Sequence, residues 1–372
     1  MSDYIFETED LTYKYNSRQE KPSLDNVSIK IKRGVRTAIL GANGAGKSTL
    51  FYHFNGIFKP GSGTVKYNGA PLDYDRDALT ELRKNISVVV QNPDEQIFSA
   101  TVEEDIAFGP MNCGMERPDV ERAIQDSLFK VNMEEYRYRP TIQLSYGQRK
   151  RIAFAGALAI RPDVLILDEP TAGLDPQMSQ DVIELVDEMV EAGTTVIIST
   201  HDVDLAYAWA EEIHVLRHGK LVFSGAPEDF FADLEQVFLT GLTVPHTYSV
   251  NFMTQSIKGE PLAPYPRTNS QILCKMRNDG ATVGHIRLIP VREGSDMAEE
   301  EGAVGIYGSG ARRLFASKER VADYHFNAIE CCLMEAINGR PSTLYCDEHM
   351  IPFVKGRIAS LDGFGSHVEV VE

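Results

Sequence analysis

Along residues 1 to about 242, short runs of β-branched and aliphatic residues alternate with stretches of helical periodicity. The runs at 37–40, 86–90, 164–167, 195–199 and 213–216 are mostly or wholly apolar. Strands buried on both faces read this way, so the pattern predicts an α/β domain with a mainly parallel sheet. Ahead of it, residues 4–34 read as antiparallel strands. One helix is sharply bounded. Asp175 stands at its N-cap and Pro176 at its first position. Val182, Leu185, Val186, Met189 and Val190 form one apolar stripe, and Gly193 closes it.

The pattern weakens at 243–269, where Pro245, Pro261, Pro264 and Pro266 interrupt it, and this stretch is expected to be a linker. Residues 270–372 read as a second, smaller α/β unit of unknown role. It has a strand at Ala303–Tyr307, a glycine turn at 308–310, and a helix carrying Ala328, Ile329, Cys332 and Leu333. The acidic run at 299–301 reads as an exposed loop.

Composition narrows the function classes. The 372 residues carry a formal net charge of −17, which repels nucleic-acid phosphates, and no basic patch offsets it. No stretch approaches the about 20 apolar residues of a spanning helix. The N-terminus lacks the basic leader and apolar core of a secretory signal. Five irregularly spaced cysteines argue against a disulfide framework. The expectation is a cytoplasmic protein, peripheral to any membrane it serves.

Two motifs carry chemistry. GANGAGKST at 41–49 fits G-x-x-x-x-G-K-[ST] and lies between a predicted strand and a predicted helix. Gly41, Gly44 and Gly46 let the backbone curl so that its N–H groups surround phosphate oxygens, with Asn43 and Ala45 as further binding positions of the same loop. The helix N-terminus adds its positive dipole end. Lys47 reaches the terminal phosphates, the Ser48 hydroxyl is a Mg²⁺ ligand, and Thr49 follows in the first turn. A glycine-rich turn alone would not require the lysine and hydroxyl. The second motif, VLILDE at 164–169, ends a buried strand in two carboxylates beside that loop. Asp168 is placed to hold Mg²⁺, and Glu169 to polarise an attacking water as general base. Together they read as a P-loop NTPase that uses Mg²⁺, without saying of which kind; the ATP is implied by the resemblance that follows.

Residues 3–242 resemble the ABC ATPases. LSYGQ at 144–148 is similar to the signature of that family, usually LSGGQ, and is followed by RKRIAFAGALA and then the Asp-Glu strand. On local chemistry alone, Ser145 and Gln148 make a capping box opening a helix. The resemblance implies more: Ser145, Gly147 and Gln148 bind ATP held by an opposite subunit. Tyr146 replaces the commoner glycine, an exchange expected to alter packing and not abolish function. The resemblance also implies that Tyr15 stacks on adenine, with Tyr13 as a substitute. It implies that Gln91 touches Mg²⁺ and the lytic water, that Asp175 serves the dimer-crossing loop as well as its N-cap, and that His201 contacts the γ-phosphate. The implied fold is a mainly parallel sheet with an antiparallel β subdomain and a helical subdomain. Each site then needs two such domains, as a homodimer or a heterodimer with a paralogous ATPase.

The segment QNPDEQIFSATVEEDIAFGP at 91–110 resembles energy-coupling-factor importers of the cobalt and nickel type. That resemblance implies a transmembrane coupling subunit, a membrane substrate-binding subunit, and import of cobalt or nickel ions. A vitamin importer of the same class is the alternative. A non-transport ABC ATPase of DNA repair or translation is a further one, disfavoured by the acidic balance and by the lack of coiled-coil inserts or zinc modules. The C-terminal part resembles an extra domain of some archaeal subunits of this type. Its Cys331, Cys332, Cys346, His285, His325 and His349 make a candidate soft-metal site, against the favoured reading of buried cysteines and incidental histidines in a structural domain. The GSGARR turn is a candidate anion site.

Overall fold

The structure, a computed structural model, describes residues 2–16, 20–277 and 282–371. Packing divides the chain into two units. One holds the residues up to Leu174 together with Ala192–Val244; the other holds Asp175–Glu191 and the residues from Pro245 on.

The first unit begins with β1 (Tyr4–Tyr13), β2 (Leu24–Lys32), β3 (Thr37–Leu40) and α1 (Lys47–Phe54). There follow β4 (Ser62–Tyr67), β5 (Ala70–Pro71), α2 (Arg76–Asn85) and β6 (Ile86–Val89). Helices α3 (Val102–Asn112), α4 (Arg117–Lys130) and α5 (Tyr146–Ala159) pack on one another before β7 (Val164–Asp168). After α6 (Pro176–Glu191), which belongs to the second unit, come β8 (Thr195–Thr200), α7 (Val203–Trp209), β9 (Glu212–Arg217), β10 (Lys220–Gly225), α8 (Pro227–Ala232) and α9 (Leu234–Leu239).

Two sheets organise this unit. An antiparallel sheet runs β2-β1-β4-β5, and a larger one runs β10-β9-β3-β8-β7-β6, parallel except for its edge strand β10. The parallel register decides where the chemistry sits. Leu40 lies opposite Thr200, and Asp168 opposite Ser199. The residues after β3, β7 and β8 therefore leave the sheet at one carboxyl edge, where ligands of open α/β sheets bind. Behind that edge, Ile39, Leu50, Phe51, Phe54, Ile166 and Ile197 join one core, and Phe54 stacks on Phe6 with ring centroids 4.4 Å apart. Each such buried side chain is worth about 1.5–3 kcal/mol of transfer free energy, which holds α1 rigidly under the loop it follows.

The second unit contains α10 (His246–Lys258), α11 (Asn269–Met276), β11 (His285–Val291), β12 (Ala303–Tyr307) and α12 (Ser309–Ser317). It ends with α13 (Ala328–Ile337), β13 (Ser342–Asp347), α14 (Ile351–Ala359) and β14 (Glu369–Val371). Its four strands form a parallel sheet in the order β12-β13-β11-β14 over a core that includes Ile286, Leu288, Leu333, Leu344 and Val354.

The stretch at 243–269 differs from a loose linker. It carries α10, and the proline-rich segment folds back on that helix. Buried Asn251 and Gln255 donate to the carbonyls of Leu262 (2.9 Å) and Pro261 (3.2 Å). Proline carbonyls remain acceptors although proline lacks the N–H, so this segment is ordered by side chains instead of by a ladder. Helix α6 also departs from a simple amphipathic reading. Its stripe of Val182, Leu185, Val186 and Met189 is buried, but so are Glu184, Asp187 and Glu188. Arg312 supplies the compensating charge, pairing with Glu184 and, at 3.2 Å, with Asp181.

Candidate functional site

The loop from Gly41 to Gly46 turns between β3 and α1, and its first and last glycines leave no room for a side chain. A Cβ at Gly46 would lie 2.8 Å from the Ser23 carbonyl oxygen, and its φ of 109° favours glycine. At Gly41 a Cβ would meet the Leu216 carbonyl oxygen at 2.5 Å. The loop can therefore wrap closely, and Lys47 reaches back across it. Buried Lys47 Nζ donates to the Gly41 carbonyl at 2.7 Å and lies 3.2 Å from Glu169 Oε1.

These groups border a cavity of 1070 Å³. Its wall includes Tyr15, Asn43, Gly44, Ala45, Gly46, Lys47, Ser48, Thr49, Gln91, Asp168 and Glu169. Eleven positions singled out from sequence thus converge on one space. Gly41 stands behind the wall through its bond from Lys47. Tyr15 is half exposed, its hydroxyl 2.9 Å from Thr49 Oγ1. Tyr13 is committed elsewhere, stacked on Phe58 at 4.9 Å and edge-on to His53.

Glu169 is the focus of the site. It is buried, and its φ of 48° places a non-glycine residue in the left-handed region, at a cost on the order of 1 kcal/mol. The backbone is held there by Ser199, whose carbonyl and hydroxyl both accept the Glu169 N–H at 3.1 and 3.2 Å. The Ser199 hydroxyl also donates to Asp168 Oδ1. On the side chain, Oε2 meets His201 Nδ1 at 2.9 Å. Oε1 faces Lys47 but has no hydrogen bond, although it is buried. A buried cation and a buried acceptor lacking a hydrogen bond, both aimed into a glycine-lined cavity, fit a phosphate chain with a divalent cation.

The signature residues lie apart from this wall. The Ser145 hydroxyl accepts the Gln148 N–H, and the Gln148 side chain accepts the Ser145 N–H, so the capping box is complete at the start of α5. Ser145 is exposed and Gly147 half-buried in the first turn. Asp175 accepts the Met178 N–H at 2.8 Å and caps α6. The Tyr146 ring lies where a Cβ on Gly173 would come within 3.0 Å of it, and its hydroxyl donates to the Gln91 carbonyl at 3.4 Å.

Sequence reasoning missed several participants. From sequence, Ser199 stands out only as the end of an apolar strand run, and Lys150 only as part of the RKRIAFAGALA stretch after LSYGQ. Arg217, His218 and Lys220 of the β9–β10 turn also line the cavity. Their signal is tertiary, because nothing local in RHGK points to a phosphate loop.

The two candidate sites of the second unit are corrected by its packing. Among the described residues, no group of three or more His, Cys, Asp or Glu side chains is placed to hold a metal ion. His285 is bonded to Glu301 at 2.9 Å, His349 is exposed, and the Cys332 thiol points to the Thr343 carbonyl. Burial pushes the Cys332 thiol up to about 12 and that of Cys346 higher still, so neither supplies a ready thiolate. The GSG turn does bind an anion, but from its own chain. Asp347 accepts the N–H groups of Gly310 (2.9 Å) and Ala311 (2.7 Å) at the start of α12.

Residues 24–172 match the family described as ABC transporter. Over 370 residues the chain is 36% identical to the energy-coupling factor transporter ATP-binding protein EcfA2 of Methanospirillum hungatei, covering 95% of this chain and 92% of that one. Among solved structures it is similar to cbiO1 from Clostridium perfringens, part of the ABC transporter complex cbiONQ. That likeness has a TM-score of 0.58 and 40% identity over 69% of this chain and 98% of the other. It is also similar to a dimeric ATP-binding cassette in a post-hydrolysis state bound to ADP and Pi. There the TM-score is 0.56 and the identity 28%, over 60% of this chain and 98% of the other.

Proposed function

Because the chain belongs to the ATP-binding proteins of energy-coupling factor transporters, a family of ABC ATPases, we propose that it powers import of cobalt or nickel ions as one of a pair of ATPase subunits. ATP binding and hydrolysis are the family's chemistry; the cargo, the pairing and the residue roles are what the proposal adds. The observation that carries it is the Glu169 carboxylate, buried between Lys47 and His201 at the cavity wall.

In this reading the loop N–H groups and Lys47 bind the β- and γ-phosphates, and Tyr15 stacks on the adenine. Glu169 takes the proton of the attacking water, and His201 holds that carboxylate in line while reaching the γ-phosphate. Ser48, Gln91 and Asp168 would hold Mg²⁺, which when bound neutralises charge on the phosphates. Ser145, Gly147 and Gln148 are exposed or half-buried and off the cavity wall, which supports their use by the opposite subunit. Two-fold pairing would close both sites together, with Asp175 at the crossing.

Among the described residues no helix is long and apolar enough to cross a membrane. Membrane coupling therefore falls to partners, a transmembrane coupling subunit and a membrane substrate-binding subunit. The exposed Phe98, Phe108 and Met111, with the first two rings in edge contact at 4.6 Å, form the apolar patch offered for that docking. Likeness to cbiO1 and the 91–110 segment support cobalt or nickel as cargo.

The test compares phosphate release by the parent and Glu169→Gln, with light scattering in ATP and Mg²⁺. The reading expects loss of roughly a hundredfold or more in kcat and an ATP-stabilised dimer of the variant. Full activity in the variant overturns the assignment of the base. Cargo is tested by uptake of labelled cobalt and nickel into cells carrying the parent or the variant subunit with its membrane partners.

A further inference from the structure

Lys150 lies in the second turn of α5 and is completely buried, yet no carboxylate stands within ion-pair distance of it among the described residues. A buried ammonium is costly, and here it is satisfied by backbone alone. Its Nζ donates to the Gln91 carbonyl at 2.7 Å and to the carbonyls of Val90 and Glu169, each at 3.4 Å. Three carbonyls from two different strand ends therefore converge on one cation from a third element.

The surrounding bonds show what this cation joins. Helix α5 is fastened along its length to the segment that carries Gln91. Ser87 donates to the Ala157 carbonyl at 2.7 Å, and Gln96 to that of Ala153 at 3.1 Å. Arg149 pairs with Asp94 at 2.6 Å, and Tyr146 reaches the Gln91 carbonyl. Those bonds tie α5 to the Gln91 segment only. Among the described residues, it is Lys150 that extends the tie to Glu169, whose carbonyl is turned by the left-handed backbone at that residue. The Glu169 N–H is held from the other side by Ser199. Ser199 and Lys150 thus hold the two peptide groups that flank Glu169, one through its N–H and the other through its carbonyl.

We propose that Lys150 is a positioning residue for ATP hydrolysis, setting Gln91 and Glu169 relative to each other and to the signature helix without touching nucleotide. The inference rests on the ATPase-site reading above, in which Gln91 and Glu169 act on the lytic water. Burial pushes the Lys150 ammonium down to about 8, while Asp168 and Glu169 act in the opposite sense.

The experiment uses the full chain in three variants, Lys150→Met, Lys150→Arg and Glu169→Gln. Steady-state phosphate release, equilibrium binding of a fluorescent ATP analogue and the thermal unfolding midpoint are measured for each. Lys150→Met is expected to lose roughly tenfold or more in kcat with ATP affinity changed by less than about twofold, a split that general damage does not produce. Lys150→Arg, which keeps charge and donors, is expected to recover most of that loss. A Lys150→Met protein as active as the parent overturns the proposal. So does a loss of activity that follows a fall in ATP affinity or unfolding midpoint, or that arginine does not relieve. Glu169→Gln separates the two levels. If it too is fully active, the reading of the site fails; if it is inactive while Lys150→Met is not, only the role of Lys150 fails.

Discussion

Glu169 Oε2 and His201 Nδ1 lie 2.9 Å apart, joining the ends of two neighbouring parallel strands through their side chains. The histidine is more than half exposed and the carboxylate nearly buried, so the bond restrains the ring from the protein side. His201→Ala is expected to lower kcat by roughly tenfold to a hundredfold while changing ATP affinity by less than about threefold. Phosphate release at saturating ATP, beside nucleotide binding, checks this. Unchanged kcat would leave the histidine a bystander.

Ser145 has one role shown by its bonds and one proposed, and substitution can separate them. As an N-cap it contributes about 1 kcal/mol to α5, which alanine removes and aspartate keeps. In the proposed role, contact with a γ-phosphate bound by the opposite subunit, added negative charge would repel the phosphate. Ser145→Asp is therefore expected to unfold within about 0.5 kcal/mol of the parent yet lose ATP-dependent pairing. Urea unfolding and light scattering of Ser145→Asp read the two separately. An aspartate variant that still pairs in ATP would confine Ser145 to capping.

His214 is buried in β9, its Nδ1 2.8 Å from the Ser224 hydroxyl, and burial, helped by Lys32, pushes its pKa down to about 4. The folded state thus binds fewer protons than the unfolded state between the ordinary 6.5 and about 4. The contribution to stability is fully present above 6.5 and is lost as pH falls through 4, by up to about 3 kcal/mol. His214→Gln, which keeps a partner for Ser224, is expected to flatten this part of the profile. Urea unfolding of parent and variant at pH 7 and pH 4.5 measures the difference. An equal loss in both would assign the acid sensitivity to other groups.

Local chemistry was readable without a fold. The glycines before Lys47, the Ser145–Gln148 box and the Asp175 cap each depend on residues within a few positions, and each forms as its spacing implies. The apolar runs likewise marked the parallel strands, since a strand covered on both faces has no polar period to hide it. What local pattern could not contain was strand order. Gln91, Asp168 and the Lys47 loop share a cavity because β3, β8, β7 and β6 are adjacent and parallel, and only the assembled sheet decides that.

The remaining surprises have the same origin. Asp347 fills the glycine turn 37 residues before it, Cys332 and Cys346 are buried thiols, and a lysine just after the signature becomes a buried hub. By itself the sequence determined which groups could do chemistry, because residue type and short spacing set donors, acceptors and backbone freedom. Only the tertiary structure decided which of them meet, because burial and long-range pairing assign each charge its partner and leave Glu169 Oε1 and Lys47 facing an open cavity.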